Sequence, residues 1–277
     1  MTYPTVPLPT PAAPRKRSVK ILTCLYCGMS TPFVQRSRAP LFLSPPALVG
    51  SLAPIDIGAV ILDMDGLMLD TERVYKRAWQ QAASQLGYGL DDDFYFTLVG
   101  RTNAAGERAL AEHFGPDFSL RAFRERWAAL WREEVQVAGI PLKPGLSELL
   151  DYLAGQEIPV AVATSSDRAY AAFSLKMAGL DVRRFAHVVT GEQVGRGKPA
   201  PDIYLEAARR LGVDPADCIA VEDSDAGVLS ASAAGMLAVM VPDLKPPSPA
   251  ARQAAFRVLT SLHEVVPLIQ LGLPPLV

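Results

Sequence analysis

The chain has 277 residues, 49% hydrophobic and 20% charged, a balance that suits a globular protein with one or two buried cores and excludes a disordered or fibrous one. A net charge of −2 at pH 7 also excludes a strongly basic nucleic-acid binder. The charge is uneven, because residues 1–55 carry six Lys/Arg and no acidic residue, leaving 21 basic and 29 acidic residues in 56–277.

Residues 1–55 also hold ten prolines, each of which removes a backbone donor and fixes φ, so neither a helix nor a sheet ladder propagates there. This stretch is expected to be a basic, Pro-rich extension without fixed structure, or a translation start placed too far upstream. An organelle-targeting segment is the alternative, since the stretch is acid-free and contains the short apolar run Ile21–Met29. That run is too short to span a membrane. Cys24 and Cys27 have the spacing of half a zinc knuckle, but a tetrahedral site needs four ligands and no second pair exists. Three cysteines in all cannot form a disulfide framework, which favours a reducing, cytoplasmic setting.

From Ile57 the chain alternates apolar runs with helical periods. The runs Ile57–Leu62, Ile158–Ala163, Ala186–Val189, Cys218–Val221 and Leu237–Val241 are short and rich in Val and Ile, as strands buried on both faces of a parallel sheet require. Helices are predicted over Gly145–Leu153, Asp167–Met177, Pro201–Leu211 and Asp225–Ala234, with Gly179 and Gly212 as C-terminal stops and Pro201 in a first turn. The pattern predicts an α/β fold with a doubly wound, Rossmann-like parallel sheet. One interval breaks the rhythm: residues 64–157 read as helices, including Glu72–Leu86, Asn103–Phe114 and Leu120–Val137. We expect an all-helical cap over 71–141, inserted after the first strand of a core formed by 56–70 and 142–277. Such a cap would roof the carboxyl ends of the strands, where open α/β sheets bind ligands.

Those strand ends hold the chemistry. Asp63 and Asp65, followed by Gly66, close the first strand; Thr164, Ser165 and Ser166 close the second. Lys198 follows the third strand, fixed between Gly197 and Pro199, and Glu222 and Asp223 close the fourth. A bare D-x-D is expected about once by chance in this length, and a helix cap explains one hydroxyl of the three. The convergence of carboxylates, hydroxyl and lysine at four successive strand ends is far more specific. Hard oxygen ligands suit Mg²⁺, and the lysine and hydroxyl suit phosphate charge.

The segments DMDGLMLDTE (63–72), TSS (164–166), GKPAPDIY (197–204) and EDSDAG (222–227), in that order, resemble the four motifs of the haloacid dehalogenase superfamily. The resemblance is closest to its phosphatases and β-phosphoglucomutases with a helical cap after the first motif, and it spans about residues 57–270. It implies that Asp63 is the nucleophile and Asp65 the general acid/base. Thr164 and Lys198 would hold the phosphoryl group, with Asp63, Asp65 (through its carbonyl), Glu222 and Asp223 around Mg²⁺. Asp70 and Thr71 would fix the loop after the strand. The implied reaction is hydrolysis of a small phosphomonoester, such as a sugar phosphate or phosphoglycolate, through an aspartyl-phosphate. Dehalogenases of the superfamily lack the second aspartate of the first motif and need no metal, so Asp65 and the Glu222–Asp223 pair argue against that activity. Mutase relatives carry a hinge histidine where this chain has Tyr75, which cannot do a histidine's proton chemistry near pH 7. A non-catalytic binding protein of the same fold is the third alternative, but neither the nucleophile nor the lysine is missing.

Substrate contacts are expected from Gly66, Glu72, Ser165 and Arg101, the last in the cap segment 100–103. Lys143 sits at the return hinge. Trp79, Trp127 and Trp131 lie at helical spacing and read as core, while His113 and His187 are isolated. The expected partner is a small phosphorylated metabolite, with no nucleic acid and no membrane, acting on a monomer or weak dimer. Because residues 1–55 match nothing in the family, a chain beginning at Pro54 should express and melt like the full-length protein. A fall in melting temperature of many degrees would show that the extension packs on the fold.

Overall fold

In the computed structural model, which describes residues 57–99 and 103–271, six parallel strands form one sheet. They are β1 (Ala59–Leu62), β2 (Val160–Thr164), β3 (His187–Thr190), β4 (Cys218–Glu222), β5 (Leu237–Met240) and β6 (Arg257–Val258). Their spatial order is β3-β2-β1-β4-β5-β6. Helices α1 (Thr71–Gln85), α2 (Asp92–Leu98), α3 (Asn103–Phe114), α4 (Leu120–Ala138) and α5 (Leu146–Gly155) come between β1 and β2. Then follow α6 (Arg168–Met177), α7 (Asp202–Leu211), α8 (Asp225–Ala233), α9 (Pro249–Ala254) and α10 (Val265–Leu271). The predicted strands and helices are present with bounds shifted by one or two residues; β6, α2, α9 and α10 are additional. The extension 1–55 and Arg101 lie outside the described residues.

Alternation along each strand separates two cores. Val60, Leu62, Val162 and Val221 face one side and pack with α5, α6 and α10, while Ala59, Ile61, Ala163 and Ala220 face the other and pack with α7, α8 and α9. The second face is rich in alanine on both strands and helices, so the helix backbones lie close to the sheet. At Gly227 the approach is so close that a Cβ would fall 1.8 Å from Glu222 Cδ. The first turn of α8 therefore rests directly on the carboxylate that ends β4.

Register then assembles the site. Leu62 is level with Val162 of β2 and Val221 of β4, so Asp63 emerges beside the ends of both neighbours. The chain passes to β2 on one side of β1 and to β4 on the other, which makes the crevice above β1 the switch point of the sheet. The helical insertion stands on two stems that run side by side. The Asp70 N–H donates to Pro141 O, and the Lys143 N–H donates to Met68 O, both at 2.9 Å. Within the insertion, α1 and α4 bury Val74, Ala78, Ala82, Phe123, Trp131 and Val135 between them and their neighbours.

Candidate active site

Lys198 is the centre of the arrangement. Its side chain is only 7% exposed, and Nζ donates to Asp63 Oδ1 (2.5 Å), Glu222 Oε1 (2.5 Å) and Ala163 O (3.0 Å). Burial alone would depress the ammonium pKa, but the two carboxylates outweigh it and raise the value, so the lysine stays charged. Glu222 is fully buried and has both oxygens engaged. Oε1 also accepts from Tyr204 OH (2.6 Å), and Oε2 accepts from Ser224 Oγ (3.0 Å), itself the cap of α8.

Asp63, 7% exposed, is raised above the ordinary carboxylate range, by burial first and against the pull of Lys198. The carboxylate of Asp65 accepts from Ser166 Oγ (3.0 Å) and from Tyr170 OH (3.2 Å). Its pKa is raised by burial, which outweighs those two donors. Thr71, also buried, makes no well-formed hydrogen bond but lies near enough to Asp65 to draw its pKa down. Thr164, at the end of β2, is 1% exposed and accepts from Ser166 N (3.1 Å).

Asp63, Glu222 and Asp223 each offer a carboxylate oxygen within 4.8 Å of the others. Asp223 is raised well above its ordinary range by burial and by the neighbouring Asp63 and Glu222. With Asp65 that makes four carboxyl groups around one lysine, an excess of negative charge that a divalent cation would neutralise. Oxygen donors of this type match Mg²⁺, so the residues present fit the metal that the sequence implies. Gly66 lies beneath this cluster rather than on the cavity wall. Its φ is +86°, and a Cβ would sit 2.3 Å from Asp223 Oδ2, so the position admits only glycine on both counts.

A cavity of about 490 Å³ opens over Asp63, Asp65, Thr164, Ser165, Lys198 and Asp223. It continues past Asp65 and Glu72 into a second chamber under the helical insertion. Glu72 stands at the seam, its pKa pushed up to about 7 by burial and then by Asp65, Asp243 and Asp70. Arg101 is outside the described residues. Of the tryptophans read as core, Trp131 is buried as expected, and Trp79 and Trp127 pack against the same core while also lining the chamber.

Four residues of this region escaped the sequence reading as site residues: Ser166, Tyr170, Tyr204 and Asp243. Asp243 follows β5, and its buried Oδ1 accepts from Lys143 Nζ (2.5 Å) and Arg73 Nη1 (3.4 Å), one from each stem of the insertion. Arg73 also pairs with Asp70 at 2.7 Å. Lys245 donates to Val99 O across the same gap. The signal was present, since Asp243 stands at a strand's carboxyl end like the acids of β1 and β4.

A Rossmann-like sheet with a buried lysine among carboxylates at its strand ends, beneath a helical insertion, defines an enzyme fold with an acidic centre. A family model for haloacid dehalogenase-like hydrolases matches residues 57–235, and the chain belongs to that family. It is 35% identical over 219 residues to a Drosophila melanogaster protein named a probable pseudouridine-5′-phosphatase, covering 77% of this chain and 93% of that one. It is also 35% identical over 180 residues to a phosphorylated carbohydrates phosphatase of Thermotoga maritima, covering 64% and 82%. Among solved structures, a Thermotoga maritima protein named a putative β-phosphoglucomutase superposes with a TM-score of 0.68 at 30% identity, covering 78% of this chain and 100% of that one. The chain is thus a hydrolase of this family, in the group whose named members include phosphatases.

The Asp243 clasp has a measurable consequence. Replacing Asp243 with Ala leaves Lys143, 14% exposed, without its carboxylate, and removing one partner of such a buried pair costs about 3–5 kcal/mol. The variant should melt several degrees lower; an unchanged melting temperature would show that the clasp adds no stability.

Proposed function

We propose that the chain hydrolyses a small phosphomonoester in a Mg²⁺-dependent reaction that passes through an aspartyl-phosphate on Asp63. The observation that carries this reading is Lys198, buried and charged, held at once on Asp63 and Glu222 beside Asp223. A nucleophilic carboxylate must approach a dianionic phosphate, and only positive charge fixed beforehand at that point makes the approach tolerable. The residues that would hold Mg²⁺ are Asp63, Glu222, Asp223 and the Asp65 carbonyl, with Glu222 also orienting Lys198. Once bound, the metal supplies further positive charge against the phosphoryl oxygens.

The roles of the chain's own groups follow. An oxygen of Asp63 forms a bond to phosphorus as the ester oxygen leaves. Asp65, held by Ser166 and Tyr170 and kept protonated more readily by burial, gives the leaving oxygen its proton. A water molecule then attacks phosphorus, Asp65 takes its proton back, and inorganic phosphate departs with Asp63 restored. Thr164 Oγ1 accepts from Ser166 N on the cavity lining, and its own proton is the one it would give to a phosphoryl oxygen. Lys198 balances charge at both steps. The helical insertion acts as a cap that encloses the ester and carries substrate contacts at Glu72 and Ser165.

Asp63→Asn should fold normally and lose turnover, and chelation of divalent cations should abolish wild-type activity until Mg²⁺ is restored. Phosphate release that survives either treatment in a clean preparation would refute the assignment.

Mutase activity is the second reading, and the fold shared with the described β-phosphoglucomutase favours it. Against it stands Tyr75, whose ring stacks on Trp131 (5.5 Å, 13°) and meets Trp127 edge-on (5.8 Å). A mutase must exclude water while a second sugar hydroxyl competes for the aspartyl-phosphate, which couples closure to correct substrate binding. A ring packed this way offers no imidazole for that coupling. With β-glucose 1-phosphate and a trace of the 1,6-bisphosphate, the expected products are free phosphate and little glucose 6-phosphate. Rapid isomerisation with negligible phosphate release would reverse the order of the two readings.

A further inference from the structure

Asp65 is held by two donors, one on each oxygen. Ser166 Oγ donates to Oδ2 at 3.0 Å and Tyr170 OH to Oδ1 at 3.2 Å. A carboxyl group gripped at one oxygen still pivots about its Cβ–Cγ bond, whose torsion has no sharp minimum. Gripped at both, its plane is fixed, and each oxygen keeps a second lone pair on which a proton can ride. Ser166 is a short side chain in the loop after β2, so the backbone alone places its hydroxyl. Tyr170 is different. It reaches Asp65 from the first turn of α6 through a long side chain, and its hydroxyl is only as well placed as its ring.

Two different parts of the molecule place that ring. Asp167 caps α6 by accepting from the Tyr170 N–H at 2.8 Å, which fixes the backbone beneath it. The ring itself stacks on Trp131 of α4 (5.8 Å, 24°), and Trp131, only 3% exposed, also stacks on Tyr75 of α1 (5.5 Å, 13°). Both α1 and α4 belong to the helical insertion, so the insertion steadies the side chain that grips Asp65. Phenylalanine would make the same stack, and what tyrosine adds at position 170 is its hydroxyl. We propose that Tyr170 is a positioning residue: its hydroxyl, steadied by the stack on Trp131, fixes the plane of the Asp65 carboxyl that protonates the departing ester oxygen. The proton passes from Asp65 to that oxygen as the P–O bond breaks, and Tyr170 keeps its own. The proposal rests on the hydrolase reading for the reaction but not for the contact.

Two esters of similar size separate positioning from mere stability, each assayed with Mg²⁺ in the full-length wild-type protein and in Tyr170→Phe. p-Nitrophenyl phosphate releases an anion that needs no proton. Phenyl phosphate releases a phenolate whose conjugate acid has a pKa of about 10, like a tyrosine side chain, and it gains from a general acid. The comparison uses kcat/KM, which reports the step in which the ester oxygen leaves. Tyr170→Phe should lower kcat/KM about tenfold for phenyl phosphate and no more than about threefold for p-nitrophenyl phosphate. Trp131→Leu, or Trp131→Phe if the leucine variant does not fold, should affect the two esters in the same unequal way. Equal losses on both esters would mark a structural role alone and overturn the proposal, as would an unchanged value for phenyl phosphate. Melting reads the contact without turnover. The shifts of Tyr170→Phe and Asp65→Ala should not add in the double variant, because the two changes remove one shared hydrogen bond. Additive shifts would overturn the proposal even in an inactive protein. Non-additive shifts in a wild-type protein that releases phosphate from neither ester would sink the hydrolase reading and leave Tyr170 as the residue that holds Asp65.

Discussion

The arrangement depends on keeping one ammonium group charged inside the protein. Desolvating a cation is costly, and Lys198 tolerates it only because Asp63 and Glu222 lie at 2.5 Å and a backbone carbonyl takes a third N–H. Those carboxylates are in turn tolerable only because the lysine is there. The group is therefore not a pair decorating the end of a sheet but a mutual requirement that fixes three strand ends and the loop after a fourth. Glu222 shows how completely it is built: four protein donors, from Lys198, Tyr204 and Ser224, consume its oxygens. A carboxylate so fully engaged orients the lysine, and Asp223 beside it is left as the more open acid.

Small residues make this density possible. The alanine-rich face lets α7 and α8 lie against the sheet, which brings Tyr204 from one helix and Ser224 from the cap of the other to the same carboxylate. A side chain at Gly227 would displace Glu222, and one at Gly66 would displace Asp223. Packing on the far face of the sheet and charge at its carboxyl end are thus one constraint: what permits close approach of helix to strand also sets where the acids point.

Much of this was legible in the sequence, for a physical reason. A strand buried on both faces must be an apolar run, so β1 to β5 stood out, and acids where such runs stop have no place in a core. The failures have equally definite causes. β6 is two residues long with partly exposed side chains, and α2 is seven residues that begin with acids, so neither carries a periodic signal. Tyr204 and Tyr170 satisfy the helical pattern as buried rings, and the pattern is blind to what their hydroxyls touch. Trp79 and Trp127 point inward as their spacing demands, but inward here includes the wall of a chamber. Asp243 obeyed the strand-end logic at β5, one strand beyond those to which it was applied.

The clasp at Asp243 bears on how the two ends of the cavity work together. Lys198 and the acids around it belong to the strand ends of the sheet, whereas most of the chamber wall belongs to α1, α2, α3 and α4, which reach the sheet through two stems. The two cavities keep their shared lining only if the insertion is held at a fixed height over the strand ends. Asp243 supplies that reference by joining Arg73 of the outgoing stem and Lys143 of the returning one to the loop after β5, and Lys245 adds a tie to Val99. The second oxygen of Asp243 is buried without a partner, so the clasp is under-satisfied as it stands. An incompletely satisfied buried carboxylate is a weaker lock than a saturated one such as Glu222. The contrast separates a saturated network at the strand ends from a looser one between the sheet and the helical insertion.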